Sequence, residues 1–274
     1  VKKKTLIAGP WVGEFGWELF VWQAYVRSMS RLFEHTVIIC RENSKALYED
    51  HADEFIFLDL KVGSSDAWFM HGLDTTQTLQ NILRGRKDLL QEKVSIFTPR
   101  RIGMPPATPC DIPIHVKDTK IIPEYIKFGN PAEQRYDYVF HIRERELRKE
   151  DNWSLQNWQK LFDLLNTGGK KIACIGTTDE SGCVKGAVDL RGMPLGSLFN
   201  VLSAAECTFG PSSGPMHLAS LCGCPHVVWS IDNNYLRYTK NWNPHGTPVL
   251  FDSKYEWHPT ADYIYEQFTK WRKE

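Results

Sequence analysis

Apolar residues along this chain fall into short unbroken runs separated by longer stretches with helical spacing. The runs TLIAG (5–9), TVIIC (36–40), EFIFLDL (54–60) and VSIFTP (94–99) predict four strands in the first half, with a helix over WELFVWQAYVRSMSRLF (17–33). The second half repeats the theme. YDYVFHIR (136–143), KKIACIG (170–176), GAVDLRG (186–192), ECTFG (206–210) and HVVWS (226–230) read as strands. Between them, SLQNWQKLFDLLNT (154–167) places Leu155, Trp158, Leu161, Phe162 and Leu165 on one helical face. PLGSLFNVLSAA (194–205), with proline in its first turn, and GPMHLASLCG (214–223) predict two more helices, and PTADYIYEQFTKWRK (259–273) a final amphipathic one. Uniformly apolar strands alternating with helices mean parallel sheets covered on both faces.

From Thr98 to Pro131 the texture changes, with prolines at 99, 105, 106, 109, 113, 123 and 131. Proline fixes φ and lacks the N–H, so this segment holds neither a long helix nor a central strand. It reads as the crossing between two domains. The expected class is therefore α/β, two Rossmann-like domains facing a cleft. Residues 1–125 and 126–258 form the domains, and 259–274 is a helix able to pack back on the first. In open parallel sheets ligands bind beyond the carboxyl ends of the strands, so the strand-to-helix turns carry the chemistry.

Composition narrows the class. Of 274 residues, 42% are hydrophobic and 24% charged, as in a packed globular protein. Lysine plus arginine equal aspartate plus glutamate at 33 each, so no global basic excess marks a nonspecific nucleic-acid binder, although a local basic groove remains open. Neither a signal peptide nor an apolar run of about 18 residues is expected. Seven cysteines (40, 110, 174, 183, 207, 222 and 224), mostly inside apolar runs, read as free buried thiols in a reducing, cytoplasmic compartment. The Cys222-x-Cys224 pair lacks a second pair, so no metal site is expected.

Four turns hold candidate chemistry. Gly9, Gly13 and Gly16 make a glycine-rich turn after the first strand, without the spacing of a dinucleotide fingerprint or a P-loop. Glu14 and Glu18 in that turn are either helix N-terminal carboxylates stabilised by the dipole or a general base. His141 and Arg143 end a strand and precede Arg145, Arg148 and Lys149, before a helix capped by Asn152 or Ser154. These cations suit phosphate oxygens, although interleaved Glu144, Glu146, Glu150 and Asp151 also describe a solvated loop. Gly176, Thr177 and Thr178 offer hydroxyls and backbone groups to a nucleotide, or simply cap a turn. Ser212, Ser213 and Gly214 open a helix whose N–H groups and dipole favour an anion, with His217 one turn on, as a ligand or as a core histidine.

Together these residues resemble the heptosyltransferase-type GT-B glycosyltransferases. The resemblance rests on PSSGPMHLASLCGCPHVVW, VDLRGMPLGSLFNVLSAAE and, loosely, LRKEDNWSLQNW, and covers about residues 136–230. HIRERE is also similar to the His-x-Arg strand end of fucosyltransferase-like enzymes. Two departures stand out: Ser212 replaces the family's aspartate, and Glu14 takes the place of its catalytic aspartate.

The resemblance implies inverting, metal-independent sugar transfer from a nucleotide-diphosphate sugar, with no cofactor, to a saccharide or a hydroxylated modified DNA base. It implies the donor near Gly13, His141, Arg143, Arg148, Lys149, Gly176, Thr177, Thr178, Ser212, Ser213, Gly214 and His217, and Glu14, or else Glu18, as base. The diphosphate would lie on the N–H groups of Ser213 and Gly214, with Arg143 and His217 adding charge or hydrogen bonds. The sequence contains no Asp-x-Asp triplet of the kind that holds the cation in GT-A enzymes. A nucleotide-sugar epimerase of the same fold and a noncatalytic binder are the competing readings.

Overall fold

The computed structural model describes residues 4–59, 75–91, 93–99, 121–131 and 136–273. The proline-rich crossing falls largely outside them, as does Leu60 of the third expected strand. The chain divides into two compact units, Val1–Tyr125 and Ile126–Glu274. Both are built on parallel sheets with helical connections, so the expected α/β class is borne out.

In the first unit, β1 (Lys4–Ala8), β2 (His35–Cys40), β3 (Glu54–Phe57) and β4 (Lys93–Phe97) stand in the order β3-β2-β1-β4, all parallel. The chain leaves β1 toward β2 and β3, then returns to β1's other side at β4. The switch point thus lies between β1 and β4, where Gly9 N–H donates to Phe97 O at 2.9 Å. Gly9 has φ +120°, and a Cβ there would meet the Ile39 carbonyl oxygen at 2.2 Å, so only glycine fits.

The expected helix over 17–33 is not uniform. It runs as α1 (Phe15–Trp17), a π-helical stretch Glu18–Trp22 and α2 (Gln23–Ser30). Apolar spacing does not separate a π turn from an α turn, so the sequence carried no sign of it. Trp22 stacks between Trp11 and Phe97, with ring centroids at 5.9 and 5.2 Å. An unanticipated helix, α3 (Thr75–Gly85), packs Leu79 and Leu83 against Ile7, Val37 and Ile39.

In the second unit, β5 (Tyr138–His141), β6 (Ile172–Ile175), β7 (Val188–Asp189), β8 (Cys207–Pro211), β9 (His226–Trp229) and β10 (Val249–Asp252) form a parallel sheet ordered β10-β9-β8-β5-β6-β7. The interior strands β5, β6, β8 and β9 are buried throughout, which is why they read as unbroken apolar runs. The expected strand over 186–192 shrinks to the exposed two-residue edge β7. The half-buried edge β10, whose apolar run is only Val249-Leu250-Phe251, was not anticipated.

The connecting helices are α4 (Leu155–Leu165), α5 (Leu195–Ala204), α6 (Gly214–Cys222) and α7 (Ala261–Trp271). Ser154, not Asn152, caps α4 by accepting the Asn157 N–H at 3.2 Å, and Asn152 instead donates to Arg145 O at 2.8 Å. The final helix α7 buries Ala261, Ile264 and Phe268 in the core of this second unit. That core is aromatic: Phe140, Trp153, Trp158, Phe209 and Trp229 interlock at centroid distances of 4.7–5.7 Å. Each such side chain contributes roughly 1.5–3 kcal/mol by leaving water.

The thiols are free: five of the six described cysteines are buried and Cys183 is half-buried. Burial pushes the Cys174 and Cys224 thiols up to about 12, and Cys40, Cys207 and Cys222 also upward. Cys224 is engaged with Thr208 Oγ1 at 3.0 Å, and no group of three metal-ligating side chains occurs among the described residues. No helix there is long and apolar enough to cross a membrane.

Candidate functional site

The second sheet has its own switch point. From β5 the chain winds outward through β6 and β7, then returns to lay β8 against β5's other side and continues to β9 and β10. The crevice beyond the carboxyl ends of β5 and β8 is where such sheets bind ligands. His141 ends β5 and Ser212–Gly214 follows β8, so two of the four sequence motifs meet there.

Ser213 is the N-cap of α6, with extended backbone, and its Oγ lies 2.9 Å from His141 Nδ1. Burial, then the charges of Arg143 and Arg145, push His141 down to about 3, so its ring is neutral at neutral pH. Tyr238, on a π-helical turn (Arg237–Asn241) beyond β9, is fully buried. Its hydroxyl accepts the Ser213 N–H at 3.1 Å and donates toward Ser212 Oγ at 3.2 Å. One of the two N–H groups expected to seat a diphosphate is therefore already engaged. Gly214 and Met216 remain as first-turn donors, which by geometry have no intrahelical acceptor, while Pro215 has no N–H.

Arg143 is 4% exposed. Its Nη1 donates to Ser212 O at 3.2 Å, its Nη2 to Asp151 O, and its guanidinium lies 4.9 Å from the Trp257 ring centroid. Burial and then Arg145 push it down to about 10, still a cation at neutral pH. Asp151 Oδ2 faces three arginines, Arg143 at 3.7 Å and Arg145 and Arg148 at 3.9 Å. Arg148 itself is half exposed in the left-handed region (φ 56°), and Lys149 is an exposed side chain 3.5 Å from Glu146. These two sit on the surface of the loop that Arg143 anchors.

The Gly176 motif joins the same end of the sheet. Glu144 N–H donates to Glu180 O at 2.9 Å and Gly182 N–H to Ile142 O at 2.8 Å, so the turn after β6 is pinned to the strand end. Gly176 has φ +129°; a Cβ there would meet Ser181 Oγ at 2.0 Å and His141 Cδ2 at 3.3 Å. Thr177 and Thr178 are exposed on this turn, and Thr177 Oγ1 accepts the Glu180 N–H at 3.2 Å.

His217, open in the sequence between an anion ligand and a core histidine, lies in the core. Its ring is buried and stacked 4.1 Å from Tyr238, with Trp242 edge-on at 4.7 Å. Burial, then Arg237, push it well below its ordinary value, so at neutral pH it brings no positive charge.

In the first unit, the Gly13–Glu14 turn follows β1. Glu14 is half-buried at the N-cap of α1, and its carbonyl accepts the Glu18 N–H at 3.1 Å. Glu18 is wholly buried and held by Tyr48 OH at 2.8 Å, Ser44 Oγ at 3.0 Å and Arg41 Nη2 at 3.5 Å. Burial raises its pKa, opposed by Arg41. Of the two candidate bases, Glu14 is the one within reach of solvent.

Sequence reasoning did not single out Arg41, Tyr238 or Trp257. None lies in a glycine turn, and their partners are distant in the chain.

No protein-family model matches the sequence, and no curated protein matches it. Solved structures match over nearly the whole length. A family 9 glycosyl transferase from Veillonella parvula is 13% identical, covers 98% of this chain and 96% of its own, and superposes with a TM-score of 0.61. The E. coli heptosyltransferase WaaC with ADP is 12% identical, covering 97% and 99%, with a TM-score of 0.58. The E. coli ADP-heptose LPS heptosyltransferase II is 10% identical, covering 97% and 98%, with a TM-score of 0.60. At such identities the likeness speaks for the fold, and the resemblance drawn from the motifs is borne out at that level: this chain has the GT-B fold of the heptosyltransferase-type glycosyltransferases.

Proposed function

We propose that the protein is a glycosyltransferase that moves a sugar from a nucleotide-diphosphate sugar to an acceptor hydroxyl, with inversion and without an essential metal. The observation that carries this reading is the switch point of the second sheet. There β5 and β8 bring His141, Arg143, Ser212 and Ser213 together at the start of a nine-residue helix. The helix dipole and the free first-turn N–H groups favour an anion. The buried Arg143 cation beside Ser212 adds positive potential for a diphosphate.

In this reading the second unit holds the donor. The Gly214 N–H group and the Ser212 and Ser213 hydroxyls bind the diphosphate. Arg143 holds Ser212 in place, and its charge stabilises the leaving group. Thr177 and Thr178 flank the nucleoside. Glu14 takes the proton of the acceptor hydroxyl as its oxygen bonds to the anomeric carbon. The anomeric carbon–oxygen bond breaks, and the nucleoside diphosphate leaves with the electron pair. The sequence lacks the Asp-x-Asp triplet that would hold a cation on the diphosphate, which leaves fixed donors and arginines to do so. A saccharide is the acceptor that fits the fold's relatives; a hydroxylated DNA base is the alternative.

A thermal-shift panel of nucleotide sugars tests the reading, because a ligand bound only by the folded state raises Tm by mass action. At least one donor should raise Tm, and Glu14→Gln should keep that shift while losing turnover. A panel with no shift, or full turnover by Glu14→Gln, overturns it.

A further inference from the structure

The Gly13–Glu14 turn stands on a buried charge pair that the proposed chemistry does not itself use. Arg41 follows directly on β2 and is 5% exposed. Its Nη2 donates to Gly13 O at 2.7 Å and lies 3.5 Å from Glu18 Oε2. One nitrogen therefore bridges the carbonyl of the peptide that leads into Glu14 and a carboxylate one helical turn later. Arg41 Nε and Nη1 have no partner among the described residues, so the bridge through Nη2 is the side chain's whole polar engagement there.

Glu18 closes the loop. Its N–H donates to Glu14 O, and its carboxylate is fixed by Ser44 and Tyr48 from the 3-10 segment Glu42–Leu47 and the residue after it. Glu14 is thus clamped on both sides, at the carbonyl before it and at its own carbonyl. Glu18 also opens the π-helical stretch, an irregularity that recurs at functional sites.

A charge pair out of water seldom stabilises a fold more than apolar side chains of the same volume would. This one bears on a single peptide, at the carboxyl end of the strand beside the sheet's switch point. We propose that Arg41 and Glu18 are positioning residues for the Glu14 carboxylate, fixing the Gly13–Glu14 peptide so that the base meets the acceptor hydroxyl in one geometry. The proposal rests on the reading of Glu14 as the base.

The test uses the full chain and the nucleotide sugar that gives the largest thermal shift, with nucleoside diphosphate release as the rate. Glu18→Gln alone leaves Arg41 buried without its counter-ion and is prone to misfold. The informative variant is therefore Arg41→Met with Glu18→Gln, which removes both charges together. Donor KM should stay within about twofold of wild type while kcat falls on the order of 100-fold, the scale of a misplaced reacting group. Amide exchange at the Glu18 N–H should accelerate while core amides keep their protection. Arg41→Lys, with one bridging nitrogen on a shorter stem, should restore part of kcat. A double variant that folds and turns over at the wild-type rate defeats the positioning role while Glu14→Gln remains inactive. Wild-type turnover by Glu14→Gln, or none by the wild type with any donor, defeats the base assignment and this proposal with it.

Discussion

Ser213 Oγ lies 2.9 Å from His141 Nδ1, joining the cap of α6 to the end of β5 across 72 residues of chain. The contact puts a neutral imidazole, held so by burial and two nearby arginines, against the first residue of the proposed diphosphate seat. Neutrality matters here. A hydrogen bond with an uncharged ring orients the serine hydroxyl without a charge that would titrate in the physiological range.

That protonation state gives the first prediction. His141 is lowered to about 3, His226 to about 4, and His217 also downward, all mainly by burial. Below the ordinary histidine value of 6.5 the unfolded chain binds protons that the folded chain refuses, so stability is lost as pH falls from there toward 4. Glu18, raised by burial, acts in the opposite sense, but it is one group against these three and His51, which burial also lowers. The expected loss by pH 4 is on the order of a few kcal/mol. Melting temperature followed from pH 8 to 4 should be flat above 7 and fall steeply below 6; a flat profile to pH 4 contradicts the neutral, buried histidines.

Tyr238→Phe removes the hydroxyl that accepts the Ser213 N–H and donates toward Ser212. The ring stacking on His217 survives, so the fold should persist with a loss of about 1–3 kcal/mol from unpaired polar groups. Affinity for ADP or UDP, read by calorimetry, should drop several-fold. Unchanged stability and affinity would mean that the hydroxyl does not organise the seat.

Gly176→Ala should be severe. The added methyl meets Ser181 Oγ at 2.0 Å with the backbone at φ +129°, where L residues are strained. Strain and displacement together should cost more than about 2 kcal/mol. Gly168→Ala is the control: its φ is also positive, at +83°, but nothing lies within 4 Å of the new Cβ. Denaturant melts of the two should rank Gly176→Ala well below Gly168→Ala.

Arg143 and Lys149 should separate cleanly. Arg143→Ala frees the Ser212 and Asp151 carbonyls and opens a void beside Trp257, a change of about 2–4 kcal/mol for a buried, hydrogen-bonded charge. Lys149→Ala removes an exposed side chain facing Glu146 and should stay within about 0.5 kcal/mol. Nucleoside diphosphate affinity should fall sharply only in the first variant. Equal effects would place the binding charge on the loop surface.

Part of this site was legible from the chain alone. Unbroken apolar runs marked β5, β6, β8 and β9 because buried parallel strands have no polar face. The turns at Gly13, Gly176 and Gly214 were visible because glycine clusters mark sharp strand-to-helix connections. The edge strand β10 escaped because its apolar run is only the three residues Val249-Leu250-Phe251. The π turn at Glu18–Trp22 escaped because one extra residue in a turn barely changes the apolar spacing.

The sequence by itself determined the α/β class and the strand ends where chemistry would sit, since periodicity and turn stereochemistry are local properties. The tertiary structure decided which side chains act there and in what state. Arg41 reaches Gly13 across 28 residues and Tyr238 reaches Ser213 across 25, and no local pattern encodes either. His217 looks the same in sequence whether exposed beside an anion or stacked under Tyr238; burial, set by packing from distant elements, makes it neutral. Ser212 stands where the resemblance has an acid, and it was the fold that put the Tyr238 hydroxyl beside it, because strand order alone brings those two segments together.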